Sequence, residues 1–202
     1  MLKLCGYNSL DFQDNNLKVY YKGKVCSISE ETNLNEFITL VKEKTSNEDD
    51  EFLEYLAQEA IKTTGLFSLI ICKGDSYYII SDIIRSQPVF YGFYDDKLFL
   101  TNNLHEFLKL AGPFPIENDK LEEYISSGFV YGKGTIFQNI HAIQAGEIIS
   151  IKGFKITSRR YFEFKPISER PKSANYSDFA VSLDNTFKSV FTRMIHQAPS
   201  VK

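Results

Sequence analysis

A chain of 202 residues that is 43% hydrophobic and 14% aromatic, with 17 Phe and 12 Tyr but no Trp, can bury a sizeable core and has a globular, strand-friendly composition. Its 23 basic and 26 acidic side chains leave a net charge of -3 without long runs of one sign, so neither a nucleic acid nor an anionic membrane is expected as a partner. No apolar stretch reaches membrane-spanning length and Met1-Leu2-Lys3-Leu4 is too short for a signal peptide, so a cytoplasmic protein is expected.

In chain order, Leu2 to Tyr7 and Leu17 to Val25 are strand candidates, the second rich in Val and Tyr. Two helices are predicted next. Leu34, Phe37, Ile38 and Val41 recur at helical spacing after Thr32-Asn33. Phe52, Leu53, Leu56, Ala57, Ala60 and Ile61 do so after Glu48-Asp49-Asp50-Glu51, an acidic run that suits the positive end of a helix dipole. From Gly65 to Thr101, three apolar runs are separated by the turn-forming pairs Gly74-Asp75 and Asp95-Asp96, which predicts consecutive antiparallel strands. Leu104, Phe107 and Leu108 predict a short helix closed by Gly112-Pro113, and Asp119 can cap a helix carrying Leu121, Tyr124 and Ile125.

Gly128, Gly132 and Gly134 mark turns around Phe129 to Phe137 and lack the Gly-Lys-Ser/Thr ending of a phosphate loop. Glu147 to Lys152 with Phe154 to Phe164 reads as a final hairpin, with Arg159-Arg160 as a solvated strand end. Residues 166–176, with Pro166 and Pro171, read as a linker. Beyond it, Phe179, Leu183, Phe187, Val190, Phe191 and Met194 share one face of a helix that Ser177 can cap. Strands, helices, strands, helices and strands in this order predict an α+β fold, two antiparallel sheets stacked between helical layers.

Few residues invite a chemical role. Cys5, Cys26 and Cys72 are an odd number at wide spacings, which fits neither a disulfide framework nor a zinc site. Cys72, after Leu69-Ile70-Ile71, reads as a small buried hydrophobe, and Cys26 likewise. His105, His141 and His196 lie far apart without an arrangement of carboxylates and suit surface or capping roles. Only Cys5 carries a chemical hypothesis.

The strand block resembles the glutaminase-like domain of asparagine synthetases, written roughly G-x-F-A followed by an apolar run, R-D-x-x-G-x-x-P-L-Y-Y, a second apolar run and S-E. Gly65-Leu66-Phe67-Ser68 opens it, and Asp82, Pro88 and Tyr91 hold their places while Ser81 replaces the Arg and Arg85 the Gly. The pattern continues through Ser127-Gly128-Phe129-Val130-Tyr131-Gly132, Thr135-Ile136-Phe137-Gln138-Asn139-Ile140, Ala145-Gly146-Glu147 and Arg160-Tyr161-Phe162. The resemblance implies an αββα sandwich of the N-terminal-nucleophile hydrolase type. It also implies a glutamine-hydrolysing site in which an N-terminal Cys attacks the side-chain carbonyl, its own amine acts as base, and an Asn side chain with a Gly N–H holds the oxyanion.

Set on this sequence, the resemblance makes Cys5-Gly6-Tyr7 the counterpart of an initial C-G-I, with four residues in front of the nucleophile. Catalysis would need Met1 to Leu4 removed; otherwise Cys5 is simply a residue of an inner strand. Lys22-Gly23-Lys24 stands for N-G-E, so Gly23 is retained while Lys22 replaces the oxyanion Asn. Asp49 of Asp49-Asp50-Glu51 matches the D-x-E whose acid binds the substrate amine. The segments that supply an Arg clamp for the substrate carboxylate have no counterpart between Asn8 and Val19.

The resemblance divides the chain into a glutaminase-like domain over residues 1–165, a linker over 166–176, and a helix over 177–202 leading to an absent synthetase domain. ATP and magnesium are implied only for that absent domain, and no cofactor or metal for this chain. The expected function is the N-terminal domain of an asparagine-synthetase-like amide ligase, a degenerate glutaminase acting as a scaffold. The alternative is a working amidotransferase domain that hydrolyses glutamine once Cys5 is exposed. The partner is the synthetase domain or a second copy of the chain.

Overall fold

The computed structural model describes residues 2–12, 17–27, 34–44, 48–165 and 175–197. The elements are β1 (Leu2–Lys3), β2 (Asn8–Phe12), β3 (Leu17–Ser27), α1 (Leu34–Glu43), α2 (Asp49–Ala60), β4 (Thr63–Lys73), β5 (Ser76–Ser81), β6 (Phe90–Tyr94) and β7 (Lys97–Thr101). There follow α3 (Leu104–Ala111), α4 (Asn118–Ser127), β8 (Ile140–Ala142), β9 (Glu147–Lys152), β10 (Lys155–Arg160) and α5 (Tyr176–Gln197). They divide into two units, one ending at Glu163 and one beginning at Phe164.

In the first unit, period-2 alternation sorts side chains onto the two faces of each sheet. One sheet has the order β10-β9-β5-β4-β3-β2 and is antiparallel. Along β4, Phe67, Leu69 and Ile71 face one way and pack with Phe37, Ile38, Val41, Phe52, Leu53 and Leu56 of α1 and α2. Ile70 faces the other way, with Ile79, Ile149 and Ile151, and meets Tyr91 and Leu100 of the second sheet. That sheet has the order β1-β7-β6-β8. Its far face carries Phe99, which stacks on Phe107 of α3 with ring centroids 4.0 Å apart. Helices, sheet, sheet, helix is the expected αββα layering. Each fully buried side chain of these layers contributes about 1.5–3 kcal/mol.

Several sequence expectations are adjusted. The strand over Leu2 to Tyr7 stops at Lys3, the chain turns at Cys5-Gly6, and β2 is a separate edge strand. β1 pairs with β7 in parallel, the exception to antiparallel pairing among the described strands. Between β5 and β6, residues 82–89 form a loop rather than continuing the strand. α2 ends at Ala60, which leaves Ile61 as an exposed C-cap. α4 begins after Glu117, so Asp119 lies in its first turn, and Tyr124 and Ile125 are exposed. Rather than lying on the surface, His141 is half-buried and packs against the Tyr91 ring at 5.5 Å. Cys72 is likewise half-buried, and burial pushes its thiol up to about 11.

In the second unit, α5 starts at Tyr176 rather than after Ser177, with the Asn175 carbonyl accepting from the N–H groups of Asp178 and Phe179. Thr32-Asn33, the linker residues 166–174, and the side chains of Cys26, Met194 and His196 lie outside the described residues.

Candidate functional site at the rim of the two sheets

The parallel register of β1 on β7, Leu2 opposite Leu100 and Lys3 opposite Thr101, delivers the next residues beside Asn102. Asn102 clasps the Cys5 backbone from both sides: its Oδ1 accepts the Cys5 N–H at 2.7 Å and its Nδ2 donates to the Cys5 carbonyl at 2.8 Å. Gly6 then adopts φ +69, a left-handed turn that glycine enters without steric cost, and the chain reverses into β2. The Cys5 thiol is exposed.

β3 supplies the rest of the rim. Lys22 lies opposite Ser68 of β4, and its Nζ sits 3.4 Å from the Cys5 carbonyl oxygen. Gly23 follows at φ +88, where an added Cβ would lie 1.8 Å from the Leu66 carbonyl oxygen. No side chain fits there, which gives a packing reason for glycine at this position. The structure thus brings Lys22, with Gly23 next to it along β3, to the Cys5 backbone. The arrangement offers an exposed thiol and an ammonium donor. With Leu4 in front, the Cys5 nitrogen is an amide and cannot act as a base.

Two residues at the rim were not read from the sequence as site residues. Asn102 is one; its signal was its place in Thr101-Asn102, where the family pattern has S-E. Tyr7 is the other. It packs into the layer between the sheets with its hydroxyl bonded to the Ser68 hydroxyl, and burial pushes it up to about 12. The family pattern has Ile and Ala at these two positions, so the departures are paired: a buried hydroxyl requires a partner, and Ser68 provides it.

Asp49 lies elsewhere. At the first turn of α2 it accepts from the Tyr78 hydroxyl at 2.8 Å and from Lys152 Nζ at 2.7 Å, with Lys73 Nζ at 3.7 Å. The Lys152 hydrogen bond, against the opposing effect of burial and aided by Tyr78, holds its carboxyl down at about 2. Tyr78 faces the α1 and α2 side of its sheet, the face away from the second sheet. Lys73 is also five residues along β4 from Ser68, about 17 Å at strand rise. The structure therefore separates Asp49 from Cys5 and Gly23.

Three residues of the family pattern, Asp82, Gly146 and Tyr161, converge on a different place. The fully buried Asp82 carboxylate accepts from the N–H groups of Phe67 at 2.9 Å, Ile84 at 2.8 Å and Ser86 at 3.2 Å, and from the Ser86 hydroxyl. Its carbonyl accepts from Gly146 N–H at 2.9 Å, and the Gly146 carbonyl accepts from Tyr161 N–H at 2.8 Å. The Tyr161 hydroxyl returns to the Ser81 carbonyl at 2.6 Å. Asp82, Gly146 and Tyr161, far apart in sequence, form one buried knot. Among the described residues, no group of three or more His, Cys, Asp or Glu is arranged to hold a metal ion. Nor is any helix among them long and apolar enough to cross a membrane.

No protein-family model matches the chain. In sequence it is 22% identical over 121 residues to asparagine synthetase (glutamine-hydrolyzing) 1 of Bacillus subtilis (strain 168), an alignment covering 57% of this chain and 19% of that protein. The chain therefore spans about a fifth of that relative's length. Among solved structures it is similar to a glutamine phosphoribosylpyrophosphate amidotransferase from B. subtilis complexed with ADP and GMP. The TM-score there is 0.39 at 11% identity, over 77% of this chain and 31% of that one. An allosteric regulatory enzyme of purine biosynthesis gives a TM-score of 0.36 at 12% identity, over 73% of this chain and 29% of its own. The chain resembles a glutaminase-like domain of the asparagine synthetase kind.

Proposed function

We propose that this chain is the glutaminase-like, N-terminal part of an asparagine-synthetase-like amide ligase, and that it has lost glutamine hydrolysis and acts as a scaffold. One observation carries this reading: the nitrogen that would serve as catalytic base is a peptide amide bonded to Asn102 at 2.7 Å. The residue at the oxyanion-donor position, Lys22, instead bonds the Cys5 carbonyl. Loss of one oxyanion donor alone costs a factor of about 100 to 1000 in rate. Glutamine is then not turned over by this chain. The partner is a synthetase domain, ATP and magnesium belong to that domain, and a cytoplasmic location goes with the reading.

Intact-mass measurement of the purified protein, combined with exposure to a glutamine-analogue electrophile such as 6-diazo-5-oxo-L-norleucine, tests it. The expected chain keeps the residues before Cys5, gains no adduct and releases no glutamate from glutamine. A chain beginning at Cys5 that takes up one equivalent of the electrophile would sink the scaffold reading and establish a working amidotransferase domain.

A further inference from the structure

α4 is a helix that buries none of its side chains. Its apolar residues at helical spacing are nevertheless on one side: Leu121 is half-buried, while Tyr124 and Ile125 are 49% and 74% exposed. Directly after it, Phe129 and Tyr131 are 58% and 77% exposed. Four large apolar side chains contributed to solvent by one short stretch exceed the scattered single residues of an ordinary surface.

These side chains stand on a rigid base. Gly128 closes α4 at φ +80, with its N–H on the Tyr124 carbonyl at 2.8 Å. The Ser127 hydroxyl lies 2.7 Å from the Glu123 carbonyl oxygen and 2.8 Å from that of Phe129. Glu123 Oε1 accepts the Tyr131 N–H at 2.7 Å, while its Oε2 takes Lys120 Nζ at 2.8 Å. Beyond Tyr131, Gln144 Nε2 holds the Gly132 carbonyl at 2.7 Å, and the Ala142 N–H holds the Lys133 carbonyl at 2.8 Å. A loop fixed at both ends that presents aromatic side chains outward is prepared for binding, because little backbone freedom remains to be lost.

The charges around it identify the partner's chemistry. Glu117, Asp119 and Glu122 are exposed on α4 and its N-cap, whereas the helix's one cation, Lys120, is paired with Glu123. Lys133, just past the loop, is taken by Glu147 at 2.5 Å and Ser158 at 2.8 Å. Two-fold pairing of this surface with a second copy would set these carboxylates against one another, an unfavourable like-charge arrangement.

We propose that α4 and the Gly128–Gly132 loop form a docking surface for a different protein domain, one presenting an apolar groove rimmed by lysine and arginine. Phe129 and Tyr131 are its anchors. The proposal rests on this surface alone and holds whether or not the glutaminase is active.

The test is an NMR titration of the full 15N-labelled chain with two amphipathic helical peptides of equal length, one built of leucine and lysine and the other of leucine and glutamate. The leucine–lysine peptide is expected to bind saturably, shifting amides of residues 117–132. The leucine–glutamate peptide is expected to bind at least tenfold more weakly. F129S combined with Y131S should weaken the lysine peptide at least tenfold with the melting temperature and the remaining spectrum unchanged. Equal binding of both peptides, shifts confined to other surfaces, or no binding would overturn the proposal. So would sedimentation showing a dimer of the chain that the double variant dissociates.

Discussion

Two turns of this protein are built by the same device and to different ends. After β5, the Asp82 side chain gathers three backbone N–H groups and a hydroxyl at a site from which solvent is excluded. After β1, the Asn102 side chain gathers the N–H and carbonyl of Cys5, which is exposed. A buried polar group without its partner costs far more than an exposed one, because water replaces the lost bond only at the surface. Asp82, Gly146 and Tyr161, which match the family pattern, thus sit where the fold depends on them. Lys22, which stands where that pattern has Asn, lies instead at the rim beside the Cys5 carbonyl.

Removing Asp82 is the most direct attack on that contrast. Asp82→Ala leaves the N–H groups of Phe67, Ile84 and Ser86 without their acceptor in the core and loosens the knot through Gly146 and Tyr161. The expected loss is about 3–5 kcal/mol, measured as a drop in the urea midpoint at unchanged slope. A loss below about 1 kcal/mol would mean that the turn is held by something else, and the distinction between the two regions would fail.

Asp49 tests on which side of the contrast a residue taken from the family pattern belongs. Its carboxyl is held at about 2 by Lys152, Tyr78 and Lys73, below its unfolded value near 3.8. A lowered folded pKa stabilises above the unfolded pKa, and that stabilisation is lost as pH falls from about 4 towards 2. With the side chain 30% exposed and solvent screening allowed for, the ionised group contributes about 1–2 kcal/mol. Asp49→Asn should therefore cost about that much at pH 7. The gap to the unaltered chain should close between pH 4 and pH 2 in urea titrations. A gap that persists at pH 2 would show that packing rather than charge is at work. Glutamine binding that disappears in the variant would return Asp49 to the substrate site.

What could be read from the sequence follows the same division. The alternation Phe67, Leu69, Ile71 against Ile70 is a consequence of a strand buried on both faces, and such a run reads clearly. β2, Asn-Ser-Leu-Asp-Phe, is an edge strand; of its side chains with described burial, only Leu10 packs on the core, so it has almost no pattern to read. The pairing of β1 with β7 joins two residues to a strand about a hundred positions away, and no local signal encodes it. Helical spacing identified α4 but not that its apolar side faces outward, since periodicity records which residues share a side and not what covers it. The Tyr7 and Ser68 hydroxyls illustrate the remaining kind of loss. Each looks like an isolated departure until the fold brings them together.

The smallest effect lies within the better preserved region. Arg85 occupies the position that the family pattern gives to Gly, and its φ is 56, in the left-handed region. A side chain there costs about 1–2 kcal/mol. Glycine would remove that strain but would add about 0.5–1 kcal/mol of freedom to the unfolded chain. Arg85→Gly should therefore stabilise by about 0.5 kcal/mol, a small rise in the urea midpoint with the slope unchanged. A destabilising result would mean that the arginine side chain makes compensating contacts, and that this departure, unlike those at the rim, has been built into the framework.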